Sequence, residues 1–187
     1  MIVLGIDPGT RRFGWGVVRK QGTKLVHVGH GVISLGDGPL AGRLADLEQQ
    51  LVAVVGQYTP THASVESIFF AKDAQAAAKL GHARGVALMV CGRAKLEVFE
   101  YPPARVKRSV AGHGRADKAQ VAQMMRVMLS LREVPPSDAA DALALAVTHL
   151  QRAPMLAASN ASHSLTKAIQ EAKKRQGIIR AVHPSKG

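Results

Sequence analysis

Three apolar runs follow one another closely at the start of the chain, over residues 2–6, 13–19 and 24–34. The first stops at Asp7-Pro8-Gly9, and Gln21-Gly22-Thr23 separates the second from the third. Runs of this length broken by turn-forming residues predict three antiparallel strands in a meander. The period then changes. Leu40, Leu44, Leu47, Leu51, Val54 and Val55 recur at helical spacing over 39–57, and Pro60 ends that element. A fourth strand is expected over 61–66, an Ala-rich helix over about 72–94 and a fifth strand over 96–101. A helical turn from Pro102-Pro103 runs to about 110, a loop follows at Gly112-His113-Gly114, and a helix covers 117–131. Beyond Pro135-Pro136 a last helix runs from about 137 to 150. Strands first, then strands alternating with helices, specify an α/β fold with a mixed five-stranded sheet flanked by helices.

Acids stand at the ends of these elements. Asp7 closes the first strand and Glu66 the fourth, where open α/β sheets form their sites. Asp138 and Asp141 open the last helix at i, i+3 spacing, which places both on one face. Each acid alone has an ordinary reading. Asp138 suits the first turn of a helix capped by Ser137, Asp7 suits a turn before Pro8-Gly9, and Glu66 suits a solvated strand end. Together, four like charges drawn into one pocket would repel without a cation, and carboxylate oxygens suit Mg²⁺ and Mn²⁺. Two such ions suit phosphodiester hydrolysis. Gly5, Gly9, Gly14 and Gly16 border the first hairpin, either as turn and bulge residues or to admit a close approach.

Charge points the same way. The chain has 25 Lys and Arg against 13 Asp and Glu, a formal net charge of +12, which suits a polyanion partner. Arg105, Lys107, Arg108, Arg115, Lys118 and Arg126 crowd one stretch in which Asp117 is the only acid. Beside an acidic pocket, such a stretch would draw phosphate in; alone, it reads as a solvated helix face. Phe69 and Phe70 follow the Glu66 strand, and one of them could stack on an unpaired base while the other packs inward. The Met124, Met125 and Met128 stripe reads as core or dimer contact, and the eight histidines show no zinc spacing. The single Cys91 allows no intrachain disulfide. No apolar run approaches the ~18 residues of a membrane span, and the N-terminus lacks the basic region of a signal peptide, so a cytoplasmic location away from membranes is expected. Residues 1–155 are read as one domain and 156–187 as a basic, flexible tail.

Several runs are specific when taken together. Gly5-Ile6-Asp7-Pro8-Gly9-Thr10 with Gly14-Trp15-Gly16 resembles the opening of the RuvC family of bacterial Holliday junction resolvases. So do Val65-Glu66-Ser67-Ile68-Phe69-Phe70-Ala71-Lys72-Asp73-Ala74 and Ala78-Lys79-Leu80-Gly81-His82-Ala83-Arg84-Gly85-Val86. The runs Tyr101-Pro102-Pro103-Ala104-Arg105-Val106-Lys107 and Asp138-Ala139-Ala140-Asp141-Ala142-Leu143-Ala144 complete a resemblance that covers residues 1 to about 150.

That resemblance implies an RNase H-like fold and a homodimeric endonuclease that resolves four-way DNA junctions by paired symmetric nicks, leaving 5′-phosphate and 3′-hydroxyl ends. It implies Asp7, Glu66, Asp138 and Asp141 as catalytic metal ligands, with two Mg²⁺ per site and Mn²⁺ able to substitute. It further implies DNA contact by Phe69, Lys107, Arg115 and Lys118, and the branch-migration motor proteins RuvA and RuvB as partners. Two other readings stay open on the residues. One is a junction-binding protein without catalysis. The other is an actin-like or sugar-kinase-like phosphotransferase, suggested by Asp7-Pro8-Gly9-Thr10 but lacking a second Gly-rich phosphate loop.

Overall fold

In the computed structural model, which describes residues 1–67 and 74–152, the first apolar run becomes β1 (Ile2–Asp7), the middle strand of five. β2 (Arg12–Gln21) pairs antiparallel with β1, and β3 (Lys24–Ser34) antiparallel with β2. On its other side β1 pairs parallel with β4 (His62–Glu66), and β4 pairs parallel with β5 (Glu97–Tyr101). The order is β3-β2-β1-β4-β5, the meander and mixed sheet expected from the sequence. Helix α1 (Leu40–Tyr58) carries the chain from β3 towards β4, and α2 (Ala74–Arg93) precedes β5. Then come α3 (Pro103–Ala111), α4 (Lys118–Met128) and α5, described over 137–152. No described helix is long and apolar enough to cross a membrane. The basic segment 156–187 lies outside the described residues.

Alternation along β1 sends its side chains to two cores. Leu4 and Ile6 pack with Phe13, Val17, Leu47, Leu51, Ala63, Val65, Ala87 and Cys91 on the α1 and α2 face. Burial pushes the Cys91 thiol up to about 11, so it behaves as a small hydrophobe. Val3 points the other way, among Val18, Val106, Val121, Met125 and Leu143. The methionine stripe is core: Met125 is fully buried, and Met124 and Met128 pack against the same cluster.

Backbone, not side chain, meets backbone where α5 crosses the sheet. A Cβ added to Gly5 would stand 1.8 Å from the Ala142 carbonyl oxygen, and one on Gly14 would stand 2.0 Å from the Asp138 carbonyl oxygen. The glycines of β1 and β2 are therefore there for close approach. The helix answers with Ala139, Ala140, Ala142, Ala144 and Ala146, all fully buried. Ser64 Oγ adds a hydrogen bond of 2.9 Å to the Leu145 carbonyl.

One helix end and one helix cap differ from the sequence expectation. Helix α4 stops at Met128 rather than 131, because Ser130 turns left-handed (φ 52) and the Leu131 N–H closes back on the Arg126 carbonyl at 2.9 Å. At the start of α5 the Ala140 N–H donates to the Pro136 carbonyl at 2.8 Å, so Ser137 already lies within the first turn and does not cap it.

Near the far end of α5, His149 is buried against Phe99 and His62, with ring centroids 4.3 and 5.3 Å away. Its Nδ1 shares a hydrogen bond of 2.8 Å with the Tyr101 hydroxyl. Burial, and then the neighbouring His62, bring its pKa down to about 4.

Gly5→Ala should lower unfolding stability by about 3 kcal/mol, since backbone on both sides must shift. Gly42→Ala, in an open position on α1, should raise it by about 0.5–1 kcal/mol in the same urea titrations. His149 gives a pH test. A depressed histidine is neutral in the folded protein, so its contribution is complete above the unfolded pKa near 6.5 and is lost as pH falls towards 4. The stability gap between wild type and His149→Gln should therefore shift by about 2 kcal/mol in favour of the variant from pH 8 to pH 5.

Candidate active site

Period-two alternation puts Asp7 on the Gly5 face of β1 and Glu66 on the Ser64 face of β4, both towards α5. The strands are parallel and Ile6 is in register with Val65, so the two acids are neighbours at adjacent strand ends. Helix α5, pressed onto the glycines, brings Asp141 over them. Asp7, Glu66 and Asp141 line one cavity of about 220 Å³ with Lys107 and Lys118. Lys107 comes from α3. Lys118 opens α4, whose start is fixed by a capping box: Gln120 N–H donates to Asp117 Oδ1 at 2.8 Å, and Asp117 N–H to Gln120 Oε1 at 3.0 Å. From there Lys118 Nζ stands 3.5 Å from Asp141 Oδ2.

The electrostatics record crowding. Burial first, then the charges of Asp141 and Glu66, push Asp7 up to about 7. Glu66 is raised by burial and by Asp141, against the opposing pull of Lys118 and Lys107. Asp141 is raised by burial although Lys118 works the other way. Two lysines thus compensate three partly buried carboxylates only in part.

Asp138 adds its charge from the side, raising Asp7 and Asp141 as a lesser cause. It does not line the cavity, and its Oδ2 accepts from Arg12 Nε at 2.6 Å. Arg115 is exposed between α3 and α4 and lies outside the cavity lining, as does His113. Phe69 and Phe70 fall outside the described residues. Sequence reasoning singled out Asp138 but not its partner Arg12. The available signal was the position of Arg12 two residues before Gly14, on the strand paired with the end of β1.

The donor set fits a hard divalent cation, being oxygen only, anionic and short of compensating charge. As they stand, no three or more His, Cys, Asp or Glu among the described residues are arranged to hold a metal ion. Two of the four acids hold ion pairs instead, Asp141 with Lys118 and Asp138 with Arg12.

The chain is similar to known proteins in sequence and in fold. The family described as crossover junction endodeoxyribonuclease RuvC matches residues 3–149. A protein of that name from Sorangium cellulosum is 55% identical over 163 residues, covering 87% of this chain and 91% of the relative. The structure of Thermus thermophilus RuvC superposes with a TM-score of 0.74 at 38% identity, covering 83% of this chain and 96% of the other. The same enzyme solved in complex with Holliday junction substrate superposes with a TM-score of 0.77. On an RNase H-like sheet with this acidic strand-end cavity, the chain belongs to the RuvC family of crossover junction endodeoxyribonucleases.

Proposed function

We infer that this chain is a divalent-metal-dependent endodeoxyribonuclease that resolves four-way DNA junctions by paired symmetric nicks. The observation that carries the reading is the convergence of Asp7, Glu66 and Asp141 beside Lys107 and Lys118 in a member of this family. Asp7, Glu66, Asp138 and Asp141 would hold two Mg²⁺ ions, for which Mn²⁺ could substitute. When bound, the ions supply a water of lowered pKa and stabilise the departing 3′-oxygen. Lys107 and Lys118 draw the scissile phosphodiester to the acids and offset the charge that builds on its oxygens. Arg115, exposed in the segment before α4, positions the flanking backbone without reading sequence. Phe69 stacks on a base unpaired at the crossover.

A four-way junction has near two-fold symmetry, so a homodimer offers one site to each of two strands. The enzyme acts in the cytoplasm with the branch-migration proteins RuvA and RuvB. Residues 1–155 supply the nuclease activity, and the segment 156–187 adds positive charge beyond it.

Incubation with a mobile synthetic four-way junction, with and without Mg²⁺ or Mn²⁺, tests the reading. Symmetric religatable nicks that require the ion are expected; tight binding without cleavage would instead favour a non-catalytic binder. Asp7→Asn should abolish cleavage and retain junction binding. It should also stabilise the metal-free protein by about 1–3 kcal/mol at pH 8, because a raised carboxylate is charged there at a cost. That gain should vanish as pH falls from 7 towards 4. Lys118→Ala should reduce single-turnover cleavage by about 10²-fold or more at saturating enzyme.

A further inference from the structure

The four acids are compensated unequally. Asp141 has a loose partner in Lys118 Nζ at 3.5 Å, whereas Asp138 Oδ2 takes the Arg12 Nε–H at 2.6 Å. Arg12 is the first residue of β2, and Gly14 of the same strand touches the Asp138 backbone. One strand therefore fixes both the carbonyl and the carboxylate of Asp138. The base of Arg12 is itself braced. Arg43 Nη1 donates to the Thr10 carbonyl at 2.6 Å, and Leu35 N–H donates to the Arg11 carbonyl at 2.9 Å. Arg11, by contrast, forms an ion pair with Asp37 at 2.8 Å, with both side chains largely in solvent.

A guanidinium N–H and a divalent cation compete for the same oxygen lone pairs. Asp138 is the one acid of the four outside the cavity lining. We propose that Arg12 is a positioning residue that holds the Asp138 carboxylate off the acidic cavity and competes with a cation for it. A cation that uses Asp138 must first displace Arg12 and would bind as the weaker class, whereas Asp7, Glu66 and Asp141 need no such exchange with Arg12. The inference rests on the reading of Asp138 as a cation ligand.

Mn²⁺ titration of the full chain without DNA, followed by the electron paramagnetic resonance signal of free Mn²⁺, tests it independently of cleavage. Arg12→Ala should tighten the weaker class of Mn²⁺ binding about three- to five-fold. The Arg12 side chain is 59% exposed, so its removal opens no core. Arg11→Ala removes an equal charge from the same loop without touching Asp138, and should leave Mn²⁺ affinity unchanged. On an Asp138→Asn background the Arg12→Ala gain should disappear, which isolates the pairwise effect. Wild-type affinity in Arg12→Ala, an equal gain in Arg11→Ala, or a gain that survives Asp138→Asn would each overturn the role of Arg12 while leaving the metal site standing. Absence of Mn²⁺ binding by wild type, or undiminished binding in Asp7→Asn, would overturn both.

Discussion

The contact of α5 with the glycines of β1 and β2 is the constraint on which the rest depends. Helix and sheet normally pack through a layer of side chains. Here the Ala142 and Asp138 carbonyls occupy the space a Cβ would need on Gly5 and Gly14. The helix is lowered onto the strands by roughly one side-chain layer. Strand-end acids and helix-borne acids, far apart in the chain, come within electrostatic reach of one another as a result. A single methyl group at Gly5 would lift the helix and take Asp141 with it. The alanine-rich face of α5 and the glycines opposite form one steric unit, with Asp141 held at its open end.

The same approach generates a destabilised cavity. Asp7 is raised to about 7 mainly by burial and then by its acidic neighbours, so the folded protein carries an electrostatic penalty at neutral pH. Lys118 relieves part of it from α4, fixed by the Asp117–Gln120 capping box. Arg12 ties down the remaining acid from outside. Protein cations thus pair with two of these carboxylates, Lys118 with Asp141 and Arg12 with Asp138. A site with its charges already neutralised would be more stable and would bind cations less well.

Much of this was legible in the residues. Alternation along β1 and β4 sends Asp7 and Glu66 to one face because the residues before them, Val3 and Ser64, are committed to that face by burial. The i, i+3 spacing of Asp138 and Asp141 held as helix geometry, yet their carboxylates diverge: one lines the cavity and the other meets Arg12. No local pattern states that divergence, since it depends on where a strand start falls relative to a helix start 126 residues away. The glycines left two readings open, turn use or close approach. The choice depends on the partner that arrives, and α5 is more than a hundred residues downstream of Gly5. The end of α4 fell three residues short of 131 for a local reason, the left-handed Ser130. Left-handed geometry at a serine has little signature in sequence.

The position of α5 in the chain has a consequence for synthesis. Asp7 and Glu66 are made early, and Asp138 and Asp141 arrive only when most of the described chain exists. A ribosome-bound or truncated product ending before residue 138 holds half of the acids and no helix to seat on the glycines. The acidic cavity therefore cannot assemble before α5 has been made. The long sequence separation that makes such contacts slow to form also leaves incomplete chains without it.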